Sequence, residues 1–143
     1  MNNPDSVSPV GNPSDAGNDT AVAGVFLAAL GVRDFQRLET CFQPQMHFRA
    51  LVPPGVREGT GPKETVGWLS KWFSHADHFE VIKSEVDQVS DRLRIAYRIR
   101  LHDLHGWQVV EQQIYCTVKD DRIDAMDLLC SGFRPASNMA AMH

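Results

Sequence analysis

With 143 residues the chain has room for one domain and little more. Apolar residues make up 43% and charged residues 22%, an ordinary balance for a single core. The formal charge of -4 supplies no broad positive field for a phosphate backbone, so nucleic acid is not an expected partner. No stretch approaches the roughly 18 uninterrupted apolar residues that cross a bilayer, so a membrane is not expected either.

Met1 to Asn18 contains Pro4, Pro9 and Pro13, no Lys or Arg and almost no large apolar residue. It lacks the charged and apolar regions of a signal peptide, so the expectation is a disordered leader and a cytoplasmic protein. A helix is expected after Asp19 or Thr20, both good N-caps, with Val22, Val25, Phe26, Ala29 and Leu30 on one stripe. Gly31 ends it. A second, short helix follows Asp34 and buries Phe35, Leu38 and Phe42, with Pro44 preventing its continuation. Met46 to Leu51 reads as a strand. Met46, Phe48 and Ala50 lie on one side, His47, Arg49 and Leu51 on the other. The stretch VPPGVREGTG reads as a loop. A third helix starts near Pro62, buries Val66, Leu69, Trp72 and Phe73, and ends around His75.

The remainder reads as strands. Phe79 to Val89 is one. In the next, Leu93, Ile95, Tyr97, Ile99 and Leu101 alternate with Arg92, Arg94, Ala96, Arg98 and Arg100. After the HDLHG loop come Trp107 to Val118, a turn at Asp120 and Asp121, and Ile123 to Cys130. Consecutive hairpins make this sheet antiparallel, and the helices must cover its apolar face. The expected fold is therefore α+β, with three N-terminal helices on a strongly curved antiparallel sheet. The domain spans residues 19–135, followed by a flexible tail over residues 136–143.

Few residues carry obvious chemistry. If Lys119 faces Arg122, pairing outward from the turn sets Asp127 opposite Ile114, near Gln112 and Cys116. An acid on an apolar face is desolvated, which raises its pKa and suits it to general acid or base work. One residue of slip exchanges the faces and brings Glu111, Gln113 and Tyr115 inward instead. His47 offers an imidazole suited to neutral pH and Arg49 a guanidinium for an anion. Trp68, Trp72 and Tyr97 are candidates for a cavity wall or for plain core. His102, Asp103 and His105 contain metal-ligand types, but their place in one short loop favours a solvated turn. Cys41, Cys116 and Cys130 are odd in number and lie in apolar runs, as buried free thiols do. No metal or other cofactor is expected.

Three stretches, FLAALGVRDFQRLETCFQPQMHFRA, GPKETVGWLSKWF and IYCTVKDDRIDAMDLLCSGF, resemble the nuclear-transport-factor-two-like superfamily, which includes ketosteroid isomerases and SnoaL-like cyclases. The resemblance runs from about Thr20 to Pro135. It implies a cone-shaped domain with an internal apolar cavity for a small apolar molecule, often a homodimer through the outer sheet face. Members isomerise, cyclise, dehydrate or hydrolyse small molecules, and others only bind or assemble. The isomerase base and buried acid fall here near Arg49 or Ala50 and at Ile114, none of them acidic. The Asp-Arg-Asp relay of limonene-epoxide-hydrolase relatives has the right residue types in Arg98, Arg100, Asp103 and Asp127. It would need an acid where His102 stands. Two readings follow. One is a cofactor-free isomerase, cyclase, dehydratase or hydrolase. In it Asp127 is the acid-base residue, and His47, Arg49, Trp72, Tyr97, Gln112 and Tyr115 are pocket candidates. The other is a non-catalytic dimeric binding or accessory module.

Overall fold

The computed structural model describes residues 13–136. The expected leader as far as residue 12, and the expected tail beyond residue 136, lie outside the described residues. Helix α1 spans Pro13–Gly31, so it begins ahead of the expected start at Asp19 and takes in the last residues assigned to the leader. Proline suits a first turn, where the missing N–H has no helical partner to lose. Val22, Phe26, Ala29 and Leu30 are buried along the anticipated stripe. Helix α2, Phe35–Glu39, is capped by Asp34, whose carboxylate accepts from the Arg37 amide at 3.0 Å. Leu38 is buried, whereas Phe42, expected on this helix, opens a strand.

That strand, β1, spans Phe42–Val52 and is longer than its expected Met46 to Leu51 core. The stretch expected to be loop folds back as β2, Gly55–Thr60, with Val52 paired to Gly55. Proline cannot donate to a ladder, so Pro53 and Pro54 occupy the turn and pairing resumes beyond them. Helix α3, Gly61–Phe73, buries Val66, Leu69 and Phe73. Arg33 ties the helical layer together. Its guanidinium donates to the carbonyls of Phe73 at 3.0 Å and Ala76 at 2.8 Å, at the end of α3.

Strands β3 (His78–Val89), β4 (Arg92–Asp103), β5 (Gly106–Lys119) and β6 (Arg122–Cys130) form the expected antiparallel meander. A short β7, Arg134–Pro135, pairs with β5. The sheet order is β2-β1-β6-β5-β4-β3. One expectation is corrected here: β1 joins β6 in parallel, so the sheet is mixed. No hairpin links these two strands. Their relative direction is set by the long path through α3 and the meander, not by local turn chemistry.

The sheet has an inner face against the helices and an outer face away from them. Phe48, Tyr97, Ile99, Ile114, Cys116 and Met126 are buried on the inner face. Phe26 of α1 packs on Phe42 and Tyr97, and Trp72 of α3 packs on Phe48. Among the described residues, no helix is long and apolar enough to cross a membrane.

Candidate functional site

Among the described residues, the buried side chains of the inner face are apolar except for one linked set of groups. Strands β4 and β5 pair Tyr97 with Gln112, so phenol and amide enter the core side by side. Both are almost fully buried. The Tyr97 hydroxyl donates to Gln112 Oε1 at 2.5 Å, which satisfies a donor whose burial would otherwise be costly. Burial, with the Cys130 thiol nearby, pushes the Tyr97 hydroxyl far above its ordinary pKa and keeps it protonated. Gln112 Nε2 in turn points at Cys130 Sγ, 3.5 Å away, and the Gly132 amide donates to the same sulfur at 3.4 Å. Gly132 has φ +83, and a Cβ there would lie 2.7 Å from Pro53 Cγ. Only glycine lets the chain leave β6 so close to the β1–β2 turn. The other buried polar side chain among the described residues, Thr65, has its hydroxyl 2.9 Å from the Gly61 carbonyl and 3.0 Å from Met46 Sδ, either of which can accept its one proton. Among the described residues no carboxylate and no imidazole is buried.

The structure separates the candidates by face. Tyr97 and Gln112 come together inside, and Trp72 joins an aromatic cluster with Phe48, Trp68 and Phe73. His47, Arg49, Tyr115 and Asp127 lie on the outer face. The register expected for the last hairpin needs correction. Asp120 and Asp121 form the turn, with φ of 51 and 66, and Lys119 does face Arg122. A bulge then intervenes: Val118 pairs with Ile123 but Thr117 pairs with Ala125, so Asp124 is the inserted residue. Every residue beyond it changes sides. Asp127 faces Tyr115, not Ile114, and Ile114 faces Leu128. On that outer face Asp127 sits between two cations, Arg49 at 3.4 Å and Arg92 at 3.1 Å, with its side chain 45% exposed.

The relay candidates are also outside. Arg98 pairs with Glu111 at 2.6 Å, Arg100 approaches Glu80 at 3.9 Å, and Asp103 accepts from the His105 amide at 2.8 Å. His102 Nδ1 bonds to Asp77 at 2.8 Å. This bond holds the exposed Asp77 carboxyl below its usual pKa. Among the described residues no cluster of three or more His, Cys, Asp or Glu is arranged to hold a metal. Cys41 and Cys116 are buried and Cys130 is partly so, and none of the three is in a disulfide. Burial pushes the Cys41 thiol up to about 11. Missing from the expected set was Thr65, which reads from the sequence as an ordinary helix residue. Cys130 reads from the sequence as a thiol, and its role as an acceptor appears only once the neighbouring strand supplies its partner Gln112.

No family model matches the chain, and no curated protein matches it. Solved structures do. An NTF2-like protein of unknown function from Burkholderia pseudomallei superposes with a TM-score of 0.64 at 13% identity, covering 78% of this chain and 88% of that one. Bal32a, from a soil-derived mobile gene cassette, gives 0.69 at 13% identity over 81% and 91%. An LEH-like epoxide hydrolase of M. tuberculosis gives 0.63 at 16% identity over 80% and 84%. The chain has the NTF2-like fold, an α+β cone of helices on a curved mixed sheet.

Proposed function

We propose that this chain is a homodimeric binding module on the NTF2-like scaffold, and that its cone takes up a small, largely apolar molecule without acid–base turnover. The observation behind this reading is the absence of any buried carboxylate or imidazole among the described residues. Carboxylates and imidazoles are the groups that most often carry proton transfer, and the phenol in the cone, Tyr97, is held protonated by burial. Gln112 is the residue that orients the ligand. Among the described residues its amide meets a thiol at 3.5 Å, a weak acceptor, so an entering carbonyl or ether oxygen makes the better bond. Asp127 serves the outer face as the shared anion of Arg49 and Arg92. A second copy covers that face, where Leu51, Val56 and Leu129 are each more than half exposed.

A thermal-shift screen with apolar carbonyl, epoxide and lactone compounds tests the reading, because a ligand of the native state raises its stability by mass action. At least one compound is expected to raise the melting temperature of the wild type and not of Gln112→Leu. Turnover of any of these compounds that disappears in Asp127→Asn would replace the reading with a catalytic one. A panel without a single shift would remove Gln112 as the ligand-orienting group.

A further inference from the structure

Beyond Cys130 the chain continues along β5 but loses its step. Cys130 pairs with Gln112, and Arg134 pairs with Val109. Three residues, Ser131 to Phe133, therefore stand opposite two, Val110 and Glu111. Ser131 keeps its place: its amide donates to the Glu111 carbonyl at 2.9 Å, and its hydroxyl oxygen accepts from the Glu111 amide at 2.9 Å. Gly132 and Phe133 thus share Val110, and the left-handed φ of Gly132, +83, marks a bulge. Regular alternation would set Phe133 beside Val109 on the outer face. The inserted residue turns it to the side of buried Val110, where its ring meets Phe73 at the end of α3, 6.1 Å between centroids.

This strap, Ser131 to Pro135, borders the polar set inside the cone. The Gly132 and Gln112 amides share one acceptor, Cys130 Sγ, at 3.4 and 3.5 Å. Gln112 is 2% exposed and Phe73 fully buried, while Phe133 is 37% exposed, so its ring is where this line of contacts reaches solvent. The other walls around Gln112 are built more firmly. Strands β4 and β6 flank it through their ladders, and Phe26 of α1 packs on its partner Tyr97. The strap is pinned at Ser131 and again by the Ala136 amide, which donates to the Trp107 carbonyl at 3.0 Å. Between these pins the Gly132 amide is held by sulfur, a weak acceptor. A partly exposed ring on such a strap can change rotamer with the backbone in place, and it gives up less burial than a core ring would.

We propose that Phe133 is the gate of the cone: its ring closes the way between the strap and the end of α3, and a ligand reaches the Gln112 amide as the ring swings out. This rests on the binding reading above and adds the residue that controls entry. Two rates test it in the full chain. The first is alkylation of Cys130 by iodoacetamide, followed by peptide mass, because this thiol lies behind the gate and reacts only when reached. Phe133→Ala is expected to speed it about tenfold or more, with Phe133→Leu in between. Cys41 and Cys116, buried elsewhere in the core, are expected to keep their wild-type rates. A rise of all three thiols in step would make Phe133 plain core and overturn the gate. The second is stopped-flow binding of prodan, an apolar aromatic ketone whose emission reports its surroundings. A gate acts on entry and exit alike, so Phe133→Ala is expected to raise association and dissociation each about tenfold, with Kd within about threefold of wild type. Faster dissociation alone would make Phe133 a wall of the site and overturn the gate. Unchanged Cys130 alkylation in Phe133→Ala, with prodan bound at wild-type rates, would overturn the gate and leave the binding reading standing. Prodan bound by neither protein, together with a compound panel that gives no thermal shift, would overturn the binding reading, and faster Cys130 alkylation in Phe133→Ala would still place the entrance at Phe133.

Discussion

The two faces of this sheet are made by the same strands, yet they handle polarity in opposite ways. On the inner face a polar group survives only when another interior group satisfies it, as Tyr97 and Gln112 do. On the outer face charges are numerous, and Asp127, Arg49, Arg92, Arg98 and Glu111 sit in ion pairs that remain partly exposed. The difference is one of solvation. Deleting one partner inside strands a desolvated dipole, while deleting one outside exposes a charge to water that hydrates it. The same residue type therefore means different things one position apart along a strand.

The sharpest way to test this contrast is to substitute both faces and compare unfolding in urea. Phe48→Ala, inside and packed on Trp72, is expected to cost about 3–5 kcal/mol through the cavity it leaves. Tyr97→Phe and Gln112→Leu are each expected to cost about 1–3 kcal/mol, because each leaves the other's polar atom buried and unpaired. The double variant is expected to cost less than the two summed, since no orphan remains, and a double-mutant cycle measures the difference. Strict additivity would show that the two groups do not depend on each other.

Alkaline pH separates the faces in another way. Burial raises the Cys41 thiol from 9.0 to about 11 in the folded chain. A raised folded-state value stabilises fully below the unfolded value and is lost as pH climbs through the folded one. Stability is therefore expected to fall between pH 9 and 11. Tyr97 works in the same direction at higher pH. Urea midpoints for Cys41→Ala across this range are expected to give a shallower slope, and an unchanged slope would exclude Cys41 as its source. The smallest effect is expected outside. Asp127→Asn breaks two half-exposed ion pairs and is expected to cost less than about 1 kcal/mol. A loss of several kcal/mol would mean that a second copy buries this carboxylate.

Much of the scaffold was legible from pattern. The apolar stripe of α1, the cap at Asp34, the alternation of β4 and the meander all follow from local rules, because helix and strand periods are properties of the chain itself. Three features were not. Pro53 and Pro54 suggested a loop, but they occupy a turn that β2 needs. The direction of β1 beside β6 depends on a long connection that no local rule constrains. The third is the bulge at Asp124. It leaves no mark in composition, yet it decides the placement of the candidate site: counting outward from the turn sends Asp127 inward, and one inserted residue sends it out.

The sequence by itself determined which residues can be buried and which strands alternate, because side-chain chemistry and a two-residue period are local. It also determined the chemical types available, among them the phenol, the amide, the thiols and the file of arginines broken at Ala96. Only the tertiary structure decided which of them meet. Tyr97 reaches Gln112 across a hairpin and Gln112 reaches Cys130 across the next. Val56, Leu51 and Leu129 align across β2, β1 and β6. Contacts of this kind depend on register, and register is set jointly by turns, bulges and burial over the whole sheet.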